Sequence, residues 1–232
     1  MEVLSNFPKI GCPFVRKNFK VDIADWQQHG KVLQLRRPSV YLAVDEINPG
    51  YEWVFEDADV SVSEKLDGSN VKLKTANGRL VALMNRLNVI DPMQIMKGKT
   101  FIIEGVFRAI QKGYIEPDGI QAGELIGPKL QGNPYRLNNH IWYPFTKARD
   151  HLGYRSFYEH DRTFGNWSDW FSKYLYSRFA GKRGDKDVMA EGIVFYSSSR
   201  DKAGWPCMAK LRRDMFPWFY DHKIKIYKET SL

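Results

Sequence analysis

From residue 60 the chain settles into a two-residue rhythm. Val60 and Val62 alternate with Ser61 and Ser63, and after a short break Val71 and Leu73 alternate with Lys72 and Lys74. Leu80, Ala82 and Met84 continue the pattern beyond Asn77-Gly78. Strand side chains point alternately to two faces, and Asn-Gly suits the two left-handed positions of a tight turn. The segment therefore predicts a strand, a break at 66–70, and then a hairpin. The rhythm changes at 101–112, where Ile102, Ile103, Val106, Phe107 and Ile110 recur at helical spacing and Gly113 offers a stop. Further strands are predicted near 119–127, 139–147, 188–197 and 205–212. Ser168 predicts the cap of a helix that carries Trp170, Phe171, Tyr174 and Leu175 and ends at Gly181, its aromatic stripe reading as core. Many strands with two or three helices between them predict an α+β domain with antiparallel sheets. Residues 1–58, with turns such as Asn48-Pro49-Gly50, are expected to pack as an N-terminal segment on a domain spanning 59–232.

Composition narrows the class. The chain has 232 residues, 43% hydrophobic and 27% charged, a balance that excludes a fibrous or disordered protein. No apolar run reaches the roughly 18–20 residues of a membrane span, so no membrane partner is expected. The start, Met1 to Asn6, lacks the basic and apolar regions of a signal peptide, so secretion is not expected. Lys and Arg total 35 against 27 Asp and Glu, a net charge of +8, and aromatics reach 14%. A basic, aromatic-rich chain points toward a polyanion with stackable bases. Cys12 and Cys207 form no CxxC pair, and the five histidines show no HExxH spacing, which argues against a transition-metal site.

The chemistry-bearing residues come in order. Lys65 ends a predicted strand and precedes the glycine-containing turn Leu66-Asp67-Gly68-Ser69-Asn70, which projects its amine outward. Glu124 sits in the apolar run Gly123 to Gly127, and Glu191 opens the run Glu191 to Phe195. Lys210 and Arg212 share one face of a strand by their two-residue spacing. Carboxylates in apolar strands need a partner or a ligand. Two of them, an activatable lysine and a cation pair suit a nucleoside triphosphate with a divalent metal.

These residues resemble the covalent nucleotidyltransferase superfamily of ATP-dependent DNA ligases, RNA ligases and capping enzymes. Lys65 to Asn70 resembles its motif I, Asn85-Arg86 motif Ia, and Glu124 in Gly-Glu-Leu motif III. Tyr143-Pro144-Phe145 resembles motif IIIa, Glu191-Gly192 motif IV, and Lys210-Leu211-Arg212 motif V. Glu64, Asn70 and the run Gly123 to Pro128, followed by Gln131 to Pro134, are most similar to phage RNA ligase 2-like enzymes. The resemblance implies a nucleotidyltransferase domain, ATP-grasp-like, whose antiparallel sheets and flanking helices enclose a nucleotide cleft. Twenty residues follow Arg212, so a minimal form without a C-terminal OB-fold is expected.

The implied activity is ATP-dependent RNA ligation, with a role in RNA repair. The lysine takes AMP from ATP, passes it to a 5′-phosphate, and a 3′-hydroxyl then displaces it. Lys65 is the implied nucleophile; Lys210 and Arg212 neutralise charge on the phosphates. Glu191 and Asp67 are the implied holders of Mg²⁺, with Mn²⁺ as an alternative. Glu124 would bind the ribose, Phe145 or Tyr143 would stack on adenine, and Glu64 would orient it, chiefly through its backbone. Asn70 and Arg86 are candidates for the 5′-phosphate end. The expected partners are RNA strands with 5′-phosphate and 3′-hydroxyl ends. The resemblance also implies an intracellular, cytoplasmic enzyme and admits a phage or viral origin. The rival readings are a DNA ligase, a capping-type guanylyltransferase core, or a nucleic-acid-binding protein that has lost catalysis. The loop Gly181 to Lys186 and the tail Phe216 to Lys225 offer cations and aromatics for a strand, or a solvated loop and a packed terminus.

Overall fold

A computed structural model describes residues 4–5, 9–91, 98–202, 205–221 and 223–227, with the backbone alone at 202, 205 and 206. His222 of the predicted tail and residues 1–3 and 6–8 of the N-terminal reading lie outside them. In chain order the elements are β1 (Phe14–Val21), α1 (Ile23–His29), β2 (Ser39–Ile47), α2 (Trp53–Glu56), β3 (Ser61–Lys65), β4 (Ser69–Ala76), β5 (Arg79–Asn85) and β6 (Asn88–Val89). Then come α3 (Thr100–Gln111), β7 (Gly119–Ile126), β8 (Ile141–Pro144), α4 (Phe145–His151), α5 (Phe164–Lys173), α6 (Arg178–Gly181), β9 (Gly192–Lys202), β10 (Trp205–Arg212) and β11 (Ile226–Tyr227). The architecture is mixed helix and strand with antiparallel sheets. Two compact units interleave along the chain: Met1–Lys9, Leu66–Tyr154 and Tyr176–Ala190 form the first, and Ile10–Lys65, Arg155–Leu175 and Glu191–Leu232 the second.

The first unit is built on a five-stranded sheet, ordered β6-β5-β4-β7-β8. The expected β4–β5 hairpin forms, and Asn77 (φ 51°) and Gly78 (φ 71°) supply its two left-handed turn residues. One sheet face presents Val71, Leu73, Leu83, Leu125 and Trp142 to Ile102, Val106 and Ala109 of α3. That stripe is the helical periodicity of the sequence, and Gly113 (φ 63°) ends the helix as expected. Trp142 is fully buried, and its indole N–H donates to the Val71 carbonyl at 3.0 Å. A side chain of this size contributes on the order of 3 kcal/mol through burial. Gly68 is needed for close approach, since a Cβ there would stand 2.1 Å from the Leu125 carbonyl oxygen.

The second unit holds two three-stranded sheets, β11-β1-β2 and β10-β9-β3. Its core is largely aromatic. Phe14 meets Phe55, Phe164 and Trp167 edge-on at 5.1–5.6 Å, and Trp167 continues to Phe195 at 5.2 Å. These are the tilted and edge-on contacts that ring quadrupoles favour. A second cluster joins Val21, Val40 and Leu42 to Tyr220 and Ile224.

Several boundaries depart from the sequence reading. Strand β8 stops at Pro144, which takes the cap position with φ −61° and ψ 143°, and Phe145 begins a helix. The fixed proline φ and the polar run Thr146-Lys147 end the strand where continuation to 147 was expected. Strand β9 begins at Gly192, so Glu191 lies at a bend before the strand. Helix α5 is capped by Thr163, whose hydroxyl accepts from the Asn166 N–H at 3.3 Å, and ends at Lys173. Ser168 is therefore an interior helix residue, and its hydroxyl accepts from the Trp218 indole at 3.0 Å. Trp170, Phe171 and Leu175 are buried as expected, while Tyr174 is exposed. The tail is a packed element: Phe216 is fully buried, stacks on Trp218 at 5.6 Å, and meets Phe171 at 5.4 Å.

Candidate active site

The residues that carry charge in the second unit converge on one end of the β10-β9-β3 sheet. Lys65 on β3 and Arg212 on β10 both lie opposite Gly192 of β9. The three positions form one row, so Lys65 and Arg212 share a face with no side chain between them. A Cβ on Gly192 would stand 2.1 Å from the Leu211 carbonyl oxygen, so the close strand approach requires glycine. Glu191, one residue before the row, accepts from Lys65 Nζ through one carboxylate oxygen. Its other oxygen lies 3.4 Å from an Arg212 guanidinium nitrogen. Lys65 and Glu191 are both about four-fifths buried.

Lys210 lies two residues before Arg212 on β10. Burial, and then the charges of Lys65 and Arg212, hold its ammonium below the usual lysine range, while Glu191 pulls the other way. The cluster is therefore rich in cations, with the Glu191 carboxylate shared between Lys65 and Arg212. Such a group is prepared to meet a polyanion, whose phosphates would relieve the repulsion.

Asp214 completes the arrangement and was not anticipated. Its carboxylate lies 3.0 Å from Arg212, which is thereby gripped by Glu191 on one nitrogen and Asp214 on the other. Burial pushes the Asp214 carboxyl above its ordinary range, against the pull of Arg212. Arg212 Nε and Asp214 Oδ1 are buried, and neither has a hydrogen-bond partner among the described residues. The available signal was Asp214 itself, two residues beyond Arg212 in the 210, 212, 214 spacing but past the end of the strand.

Glu64 is 1% exposed, and its row partner Ile193 is fully buried. Its side chain therefore faces the core and not the Lys65 face, which leaves only its backbone for the expected adenine contact.

In the first unit Asn70, Glu124 and Tyr143 stand abreast across β4, β7 and β8. Glu124 is partly exposed, flanked by the two predicted neighbours. Tyr143 is buried, with Tyr114 at 5.6 Å and Phe179 at 5.4 Å packed edge-on against its ring. Phe145 is half-buried at the start of α4 and does not share a strand face with Tyr143, contrary to expectation. Arg86 is exposed in the turn after β5 with φ 53°. Asn85, its neighbour in the predicted motif, donates to the Ser69 hydroxyl at 2.7 Å and the Asn70 carbonyl at 2.9 Å. Asp67 belongs to this unit, and its N–H donates to the Tyr135 hydroxyl at 2.7 Å.

No protein-family profile matches the chain. No curated protein matches it. Among solved structures it is similar to Naegleria gruberi RNA ligase with PPi, at 15% identity and a TM-score of 0.46, covering 74% of this chain and 54% of that one. It is also similar to a variant of the same ligase with ATP and Mn, at 15% identity and a TM-score of 0.42, covering 66% and 49%. A variant without ligand gives 14% identity and a TM-score of 0.45, covering 96% and 60%. The chain thus spans about half to three-fifths of the length of these proteins.

Among the described residues no group of three or more His, Cys, Asp or Glu is placed to hold a metal ion, and no helix is long and apolar enough to cross a membrane. Glu191 offers one carboxylate. A donor set this sparse fits Mg²⁺, which keeps several waters and takes one or two carboxylates beside substrate phosphates.

Proposed function

We propose that the chain is an ATP-dependent polynucleotide ligase acting on RNA through a lysyl-AMP intermediate. The observation that carries this reading is the Lys65–Glu191–Arg212 cluster with Lys210 two positions along the same strand. Lys65 Nζ must lose a proton before it can attack, and Glu191, already hydrogen bonded to it, is the adjacent acceptor. A bond then forms from Nζ to the α-phosphorus of ATP as the bond to the bridging oxygen breaks and pyrophosphate leaves. Lys210 and Arg212 neutralise the departing charge. Glu191 would hold Mg²⁺ beside the substrate phosphates, and the ion when bound would supply further neutralisation of them. Glu124, Asn70 and Arg86 are assigned to the ribose and the 5′-phosphate end, and Phe145 to adenine. Strand joining would then proceed by transfer of AMP to the 5′-phosphate and its displacement by a 3′-hydroxyl.

The test is sealing. Nicked duplexes with RNA or DNA on each side of the nick, and single strands with 5′-phosphate ends, are presented with ATP or GTP. Joining of RNA with ATP is expected. Joining of DNA alone, or labelling by GTP alone, would overturn the assignment.

Lys210 offers a sharper discrimination between a catalytic and a structural cluster. Its ammonium is destabilised by burial and by the charges of Lys65, Arg212 and Arg16. Lys210→Met keeps the chain length and removes the charge, so its melting temperature should rise by a few degrees at pH 7. The unfolded lysine binds a proton more readily than the folded one, so the wild-type protein gains stability as pH rises toward 10.5, and the variant should lose that gain. Adenylylation should fall about 100-fold, as when one preorganised charge donor is removed. A variant that is less stable and fully active would exclude the role given to Lys210.

A further inference from the structure

The β11-β1-β2 sheet buries one face and leaves the other partly exposed, with Ala43, the Asn18 Oδ1 and the Ser39 Oγ of that second face covered. Phe19, Val21, Val40, Leu42 and Ile226 point into the cluster around Tyr220. The alternate positions, Arg16, Asn18 and Lys20 on β1, Ser39 and Tyr41 on β2, and Tyr227 on β11, lie on the opposite face. The register sets Lys20 beside both Ser39 and Tyr227, and Asn18 beside Tyr41. Tyr41 is 44% and Tyr227 50% exposed, which is unusual for two aromatic rings on one short sheet. Around Tyr41 two guanidinium groups gather: Arg16 at 5.6 Å and Arg37 at 5.2 Å from the ring centre. Arg37 also donates to the Tyr41 hydroxyl at 2.9 Å, and Arg16 to the Tyr41 carbonyl at 3.0 Å. None of the paired positions from Ser39 to Ala43 on this face is a carboxylate. The acids of β2 stand at its far end: Asp45 is exposed two residues beyond Ala43, and Glu46 is engaged by Lys17 at 3.0 Å.

We infer that this face binds the backbone of single-stranded RNA, with Arg16, Lys20 and Arg37 on phosphates and Tyr41 and Tyr227 as stacking surfaces. A protein partner would have to desolvate Lys20 and Arg37 as well as Arg16, whose charge is already felt by Asp214, whereas a polyanion supplies counter-charge at each nucleotide. Bases are the one feature of a polyanion that rewards exposed tyrosine rings. Lys20 and Tyr227, on adjacent strands, provide the charge-beside-ring pairing that tracks a single strand. The inference rests on the ligase reading for its choice of RNA. It gives a strand-binding role to the 14–47 segment, whose role the sequence left open, while Phe216 of the tail is packed in the core.

The test measures binding and chemistry separately. A 12-nucleotide fluorescein-labelled single-stranded RNA is titrated with the full chain by anisotropy across a NaCl series. The double variant Lys20→Gln with Arg37→Gln should bind more weakly. Its slope of log K against log salt should be shallower by about 1.4, the value for two phosphate contacts on a single strand. Tyr227→Ala should weaken binding about tenfold with the slope unchanged, as expected for a lost stack. Melting midpoints within a few degrees of wild type verify that both exposed sets fold. Wild-type affinity and slope in both variants would overturn the inference, as would equal binding of an RNA duplex of the same length. Adduct formation with labelled ATP is followed on the wild-type protein alone. A missing adduct with variant-sensitive RNA binding removes the ligase reading and leaves the surface. An adduct with variant-insensitive binding does the reverse.

Discussion

Lys65→Ala, incubated with Mg²⁺ and α-labelled ATP, is expected to carry no acid-stable label, whereas the wild-type chain becomes labelled. The phosphoramidate bond needs an amine at this position. No other lysine is paired with the central carboxylate among the described ion pairs of the cluster. Loss of a nucleophile removes the whole covalent route, so the decrease should reach at least about 1000-fold. Lys65→Arg should fail as completely, because a guanidinium does not deprotonate in proteins. This second variant preserves the charge and the contact to Glu191, so its failure cannot be ascribed to a collapsed cluster. Both proteins should melt within about 10 °C of wild type, since Glu191 keeps Arg212 as a partner. Label retained in either variant would place the nucleophile elsewhere and overturn the reading.

Much of this cluster is legible in the sequence. The two-residue spacing of Lys210 and Arg212 placed them on one face, and the strand preceding Lys65 placed its amine at a strand end. Both follow from local periodicity, which a sequence carries directly. The hairpin at Asn77-Gly78 and the helix before Gly113 were legible for the same reason: the turn chemistry is confined to one or two residues.

What escaped depends on contacts distant in sequence. That Gly192 separates Lys65 from Arg212 is a matter of register between β3, β9 and β10, and no local pattern encodes register. Asp214 acquires its role because Arg212 turns one guanidinium nitrogen toward it, beyond the end of the strand. Phe145 was misplaced because Tyr143-Pro144-Phe145 reads as a continued alternation, while the proline ends it. The outer face of β1 and β2 was missed for a different reason. Arg16, Asn18 and Lys20 form a regular polar stripe, but a stripe becomes a surface only when Tyr41 and Tyr227 are paired beside it. Tyr227 is about two hundred residues from Lys20 in the chain, so only the fold can bring them together.

Glu191→Gln should be the most informative change at the centre of the cluster, because it alters charge with almost no change of shape. The carboxylate receives Lys65 and Arg212 at once and is the counter-charge that partly supports a charged Lys210. Neutralising it leaves three cations with Asp214 as the remaining nearby anion, and it pushes Lys210 further below its usual range. Breaking a fully buried pair costs roughly 3–5 kcal/mol. With Lys65 at 21% and Glu191 at 17% side-chain exposure, water screens part of this, and about 2–3 kcal/mol is the expected loss. For a chain of this length that lowers the melting temperature by about 5–10 °C. Adenylylation should fall by roughly 100-fold or more, since the proton acceptor beside Lys65 is gone. Salt separates the two effects. At 1 M the screening length is about 3 Å, so repulsion among the cations weakens and part of the lost melting temperature returns. Lost proton acceptance is not restored by salt, so the labelled adduct should stay low, measured against wild type at the same ionic strength. A variant that melts early yet forms adduct at the wild-type rate would make Glu191 a structural counter-ion and nothing more.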